Sequence, residues 1–209
     1  MSTKTQGTLA QVSTATGSAK TITGITNASP PVVTSTSHGL ANGTIVKIAS
    51  VGGMTQLNGR VFVVKNTATN TFELGGADST SYGTYTSGGT ATPQTMTSIG
   101  EVTGMSLFDG KAAIIDATHL QSTAKEKKMG LPDFGGGKFS LNRIADTGQS
   151  KLKALKAAQT SGVFGITAPD GTIAAFNAFV MSFTCDISGD SIYTGEAALE
   201  FENEPSDFA

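Results

Sequence analysis

The stretch GQSKLKALKAAQTSGVFGITAPDGTIAAFNAFVMSFTC, residues 148–185, decides the fold class. Its first part has helical spacing. Leu152 and Leu155 share a face with Ala158 or Gln159, while Lys151, Lys153 and Lys156 point to water. Asp146 or Thr147 can cap the start and Gly162 follows the end, which predicts a helix near 148–160. The period then changes. VFGIT and TIAAFNAFVMSFTC flank Pro169-Asp170-Gly171, a turn in which proline sets φ and glycine permits the return. Phe179, Met181, Phe183 and Cys185 alternate, which predicts that they line one buried face. In IYTGEAALEFE, residues 192–202, Tyr193, Ala197, Leu199 and Phe201 fall on one side and Glu196, Glu200 and Glu202 on the other. Strands, one helix, then strands describe a mainly β chain: a β-sandwich or barrel with one flanking α-helix.

The first hundred residues are written differently. They are rich in Thr, Ser, Gly and Ala, with short apolar runs between turn signals. Asn42-Gly43 precedes TIVKIAS and Asn58-Gly59 precedes RVFVVK, and both pairs read as hairpin joints. TFEL continues the pattern, and YGTYTSGGT reads as a short strand with a glycine-rich exit. The regular β-branched runs argue against a disordered linker. The expected organisation is a core formed by residues 1–20 and 93–209, interrupted by a small all-β module at 21–92.

The chain's 209 residues suffice to bury a core without disulfides or metals, and Cys185 is its one cysteine. MSTKTQGTLA lacks the apolar centre of a signal peptide, and no apolar run approaches a membrane span, so folding in a cytoplasm is expected. Charge is uneven. Residues 1–100 hold five bases against two acids, the rest nine bases against fourteen acids, and from Asp186 onward every charge is acidic. A protein that grips nucleic acid needs the opposite sign.

Candidate chemistry is sparse. Asp116, His119 and Ser122 have triad-like identities, but a spacing of three aligns them only on a helix, and KAAIIDATHLQST reads as strand. These polar groups are expected to satisfy backbone donors or to face solvent or a neighbour. GGGK is not a phosphate loop: Pro132 stands where its first glycine belongs, and Phe139 where it needs a hydroxyl. His38 and His119 are isolated, His38 in the turn-like SHGLANG, so neither metal nor cofactor is expected. The sequons at Asn27 and Asn42 read as turn residues. The acidic face of 192–202 is read either as a solvated surface or as one that keeps phosphate from sticking.

Two resemblances sharpen this reading. IGEVTGMSLFDGKAAIIDATHLQSTAKEKKMGLPDFGGGKFSLNRIADTGQSKLKALKAA and FGITAPDGTIAAFNAFVMSFTCDISGDSIYTGEAALEF together resemble the tail tube protein of long, non-contractile phage tails. The features that match are the opening I-x-x-V-T, D-x-T-x-L-x-S-T-x-K-E, G-L-P-D-x-G, F-S-L-N, the helix, P-D-G and F-x-A-F-V-x-S-F, covering about 93–201. TSTSHGLANGTIVKIASVGGMTQLNGRVFVVKNTATNTFEL, residues 34–74, resembles the small β module of ubiquitin-activating enzymes that recurs in phage virion proteins. It holds no conjugating cysteine.

The first resemblance implies a tail-tube-type sandwich or barrel and a structural, non-enzymatic role. Hexameric rings would stack into a hollow tube that conducts DNA during ejection without sequence-specific binding. The implied partners are further copies of the chain, a tape-measure protein, a tail terminator and baseplate or tail-tip proteins, in a virion tail assembled in the host cytoplasm. In that family a long loop reaches neighbouring subunits and the adjacent ring. Asp116, His119, Ser122, Lys125, Lys127, Lys128, Leu131 and Pro132 become its contact residues here, and Glu196, Glu200 and Glu202 become lumen-facing. The module is expected to project outward. The alternatives left open are a terminator or baseplate-hub ring, and a carbohydrate-binding β module using Tyr82 and Tyr85.

Overall fold

The computed structural model describes residues 6–121, 123–187, 189 and 192–206. In chain order the elements are β1 (Leu9–Thr16), β2 (Lys20–Thr21), β3 (Gly24–Ile25), β4 (Val32–Thr34), β5 (Ile45–Gly52), β6 (Val61–Lys65), β7 (Thr71–Gly75), β8 (Ser87–Ser98) and β9 (Val102–Leu107). They continue with β10 (Lys111–Asp116), β11 (Lys127–Asp133), β12 (Gly136–Asn142), α1 (Thr147–Ala158), β13 (Gly162–Thr167), β14 (Ile173–Phe183) and β15 (Thr194–Phe201). One antiparallel path runs β3-β4-β7-β6-β5-β8-β1-β13-β14-β15-β12-β9, with β2 beside β8. β10 and β11 form a separate two-stranded ribbon. The chain is therefore mainly β, of sandwich type, with one helix, as its sequence pattern predicts.

β14 lies at the centre of three layers. Ala174, Phe176, Ala178 and Val180 join Phe139, Leu141, Phe164, Leu199, Phe201 and the helix residues Leu152 and Leu155 in one core. Ala175, on the opposite face, packs with Val163 and with Ile45, Val61 and Val63 of β5 and β6. The sheet thus folds over so that β5 and β6 cover the back of β13 and β14. A third core lies within the module, where Ile22, Val46, Ile48, Met54, Leu57, Phe62, Val64, Phe72 and Leu74 are buried together. VFVV and IAAFNAFV read as near-continuous apolar runs because their strands are covered on both faces.

This register corrects one expectation. Phe179, Met181, Phe183 and Cys185 do not line a buried face: Met181 and Cys185 are exposed, and Phe179 and Phe183 only half-buried. The even-numbered positions face the core, and a register shift between Val180 and Ser182 ends the alternation. On β15, Ala197, Leu199 and Phe201 are buried as expected, while Tyr193 precedes the strand and is exposed. Asn42-Gly43 is a turn but not a hairpin joint, because β4 pairs with β3 and β7 rather than with β5. Asn58-Gly59 does lie in the β5–β6 connection, where the Asn58 side chain bonds both N and O of Val51. The predicted hairpin at Pro169-Asp170-Gly171 joins β13 to β14, with Gly171 at φ +87.

The helix start is fixed by polar contacts that also set its neighbours. Asp146 is the N-cap and accepts from the N–H groups of Gly148 and Gln149, and from Gly100 at 2.9 Å. Gln149 is buried, donating to the carbonyls of Gly100 and Asn142 and accepting from Ile144. Gly148 has no side chain because the Ser98 carbonyl occupies the place of a Cβ. The helix ends at Ala158, with Gln159 left-handed at φ 52, and Gly162 opens β13 rather than closing the helix.

Module and core share a strand. β8 runs unbroken through Thr92 and Pro93, the expected border, pairing with β5 and β2 over its first part and with β1 over its last. The segment after β15 straps the two together. Ser206 bridges to Ala175 through two backbone bonds and donates its hydroxyl to Gly75 O. Glu204 meets Arg60 at 2.9 Å, and Asn177 donates to Gly59 O at 2.6 Å. The buried Arg60 also donates to the Tyr82 hydroxyl and lies over Phe62.

Two measurements test these ties. Burial pushes the Asp146 carboxyl up, but the N–H donors of Gly100, Gly148, Gln149 and Thr147 outweigh it and hold it below the ordinary value. A carboxyl depressed on folding stabilises above its unfolded pKa, and that contribution is lost as pH falls through the folded one. Asp146→Ala should therefore cost about 1–2 kcal/mol at neutral pH, with the gap to wild type narrowing in acid, read by urea unfolding across pH. Arg60→Ala should cost about 1–3 kcal/mol, nearly all of it from the Tyr82 bond and the packing on Phe62, because Glu204 remains in solvent. Thermal unfolding measures the loss, and Glu204→Ala should leave it small.

Candidate interaction surfaces

The β10–β11 ribbon stands apart from the sheet. Among the described residues its strands pair only with each other, with Ile114 opposite Met129, Ile115 opposite Lys128 and Asp116 opposite Lys127. Ile114 and Met129 face each other on one side of the ribbon, 70% and 82% exposed, while an extra residue in β11 opposite Ala113 turns Leu131, 88% exposed, to the other side. Ile115 is on the other face, over Gly130. Leu120 at the tip is fully exposed. An isolated two-stranded hairpin is marginally stable in water, and this one also leaves its apolar stripe uncovered.

The contact residues expected from sequence fall on this ribbon. Lys127, Lys128, Leu131 and Pro132 are on β11, Asp116 ends β10, and His119 and Lys125 lie in the connection, all exposed. Ser122 lies outside the described residues. Asp116 and His119 each serve the local turn. The Asp116 carboxylate accepts from Thr118 N–H, and hydrogen bonds from the Thr118 side chain and backbone hold it below the ordinary carboxylate range. His119 Nδ1 accepts from Gln121 N–H. Lys127 faces Asp116 in register.

The acidic residues divide. Glu196 and Glu200 share the outer face of β15 with Ala198, beside Gly136, Lys138 and Ser140 of β12 and Gly104 and Ser106 of β9. This face is small and polar, and Lys138 Nζ sits 2.9 Å from Glu196. Glu202 lies past the strand end, where its N–H bonds Asn177 O at the start of the strap. Sequence reading missed Lys138, because it sits on another strand, and Arg60, the module's anchor. It also missed Ile114 and Met129, although apolar residues among the lysines of KAAIID and KEKKMGL, with no helical period, were a signal.

Elsewhere the polar groups have structural uses. His38 is buried; its Nδ1 accepts from Leu40 N–H, so Nε2 carries the proton and donates to Ala68 O. Tyr82 accepts from Arg60, and Tyr85 donates to Ile22 O and Gly88 O, with both rings packed against the module core. Neither ring is presented as a sugar-stacking platform. Among the described residues, no three His, Cys, Asp or Glu side chains cluster to hold a metal, and no helix is long and apolar enough to cross a membrane.

Residues 29–95 match the family model of the ubiquitin-activating enzyme E1 FCCH domain. The match spans the stretch whose sequence resembles that module, from β4 through β7, and extends into β8. The chain has no match among curated proteins. Among solved structures it is similar to a chain of the virion of a native gene transfer agent particle. That likeness is 14% in identity with a TM-score of 0.46, over 55% of this chain and 88% of the other, too loose to carry a functional argument.

Proposed function

We propose that this is a structural virion protein that polymerises into a phage tail tube. The observation that carries the reading is the β10–β11 ribbon: a hairpin with an uncovered apolar stripe, joined to a well-packed sheet, is built for a partner. The resemblance of residues 93–201 to tail tube proteins supplies the kind of partner, further copies of the chain in stacked hexameric rings. Tape-measure, terminator and tail-tip proteins would meet the ends of the tube, and the site of action is the virion tail. The role is mechanical rather than catalytic, with no cofactor. The Glu196–Glu200 face, small and polar with Lys138 offsetting one acid, is proposed to line the channel, where residual negative charge repels sliding DNA.

Negative-stain electron microscopy beside size-exclusion chromatography tests polymerisation. Hollow tubes or stacked rings are expected from concentrated protein; closed single rings that never stack would favour a terminator or hub. Ile114→Ser, Met129→Ser and Leu131→Ser combined should abolish the assemblies while leaving the melting temperature of the free chain within the small range typical of surface changes.

The lumen reading has its own test. Glu196→Gln with Glu200→Gln should leave tubes intact and slow DNA ejection, whereas Glu202→Gln alone should not. Failed assembly in the double variant would make this face an interface instead.

A further inference from the structure

A cavity opens where the module meets the core, and the strand register explains it. The ladder between β1 and β13 ends at Val12 and Phe164. A bulge between Ser13 and Ala15 then shifts β1 along β8, its partner on the other side. The last residues of β1 thus part from the first residues of β13, and a space of about 490 Å³ lies there. Lys47 of β5 joins its lining from the module, and Lys151 of α1 from the core.

The lining is one-sided in its chemistry. Both lysines are half-buried, and among the described residues neither has an ion pair or a hydrogen bond. No Asp or Glu stands among the lining residues. A cation drawn partly out of water without a counter-charge is destabilised, and a second cation beside the same space adds repulsion. Ser13 and Gln94 are engaged locally: the Ser13 hydroxyl donates to Gln94 Oε1 at 3.0 Å, and Gln94 Nε2 donates to Thr92 O. The hydroxyls of Thr16, Thr92 and Ser161, also in the lining, make no hydrogen bond among the described residues.

We propose that this cavity binds a phosphoryl group between Lys47 and Lys151. A phosphate monoester carries close to two negative charges at neutral pH and three acceptor oxygens, which match two unpaired cations and the free hydroxyl donors. Free phosphate and a phosphorylated sugar both supply that chemistry. The size favours the sugar, because the space is that of a small-molecule site rather than of a single ion. Thr16, Thr92 and Ser161 offer partners for sugar hydroxyls, with Leu155 and Val163 as the apolar part of the wall. A nucleotide fits less well, since the lining has no aromatic ring on which a base could stack. The site needs one copy of the chain only and stands apart from the tube reading.

Isothermal titration calorimetry on the full chain at fixed ionic strength tests it, with glucose 6-phosphate, inorganic phosphate and glucose as probes. Both phosphates should bind and glucose should not. Tighter binding of the sugar ester identifies a phosphorylated sugar as the ligand, and the reverse order identifies free phosphate. Lys47→Met and Lys151→Met keep the stems and remove the charges, and each should weaken binding about tenfold. Lys153→Met, exposed on the same helix and outside the cavity, should leave it unchanged. Should Lys47→Met fail to fold, Lys151→Met decides alone, and full-strength binding there overturns the proposal. Failure of both phosphates to bind, by calorimetry and by thermal shift, overturns it as well. Equal weakening by Lys153→Met would show diffuse attraction to the helix's charge and overturn it too.

Discussion

The structure depends on the burial of β14 from both sides. Phe176 and Ala178 face the helix-covered core, while Ala175 and Asn177 face β5 and β6 of the module. Neither layer is complete without this strand. The helix has one apolar edge, Leu152 and Leu155, and needs the sheet beneath it. Val61 and Val63 of β6 would be open to water if the module stood alone, although the opposite side of that strand has a closed core of its own. Burying a side chain of this size is worth about 1.5–3 kcal/mol, so the module gains by docking, and the core gains a dry back.

Such a dry back brings a polar difficulty, because the docked surfaces contain backbone and side-chain groups that lose water. Side chains of β14, of the module and of the strap solve most of it. Asn177 donates to Gly59 O, Ser206 to Gly75 O, and Arg60 reaches Tyr82 and Glu204. Arg60 Nε and Asn177 Oδ1 are buried without a hydrogen-bond partner, so the solution is not complete. Arginine tolerates this better than lysine would, since its weakly hydrated plane can rest on Phe62 while the other nitrogens bond. One consequence is that the chain's acidic end is not uniformly available for function: Glu204 belongs to the strap, and Glu202 sits at its entrance.

What the sequence made legible was local. The helix, its Asp146 cap, the turn at Pro169-Asp170-Gly171 and the inward face of β15 each follow from a short pattern that needs no distant partner. What it hid were choices made by contact between remote segments. In β14 both parities are apolar, so alternation could not say which face meets the helix, and Phe179 and Met181 were assigned the wrong way. Asn42-Gly43 has a hairpin's chemistry, but β5 pairs with the strand that follows it, β6, and with the distant β8 rather than with β4. The strand character of KAAIID was legible, yet the exposed apolar residues Ile114 and Met129 were obscured by the lysines around them. The Lys138–Glu196 pair was illegible because it joins strands with the whole helix and hairpin between them.

The ribbon's energetics favour several contacts made in parallel over a single pairing. Covering Ile114 and Met129 in full offers roughly 3–6 kcal/mol, taking about 1.5–3 kcal/mol for each. Association of two bodies costs about 4–15 kcal/mol in lost freedom before side chains are ordered. One ribbon seated on one neighbour would therefore be a weak contact. When copies are already held side by side, all their ribbons dock with a single loss of freedom, and each further contact is effectively intramolecular. A stripe of this size thus separates two regimes. In the proposed tube it would be too small to glue monomers at random and large enough in parallel to make stacking cooperative. The flanking lysines would add specificity to that switch, because like charges on two ribbons repel.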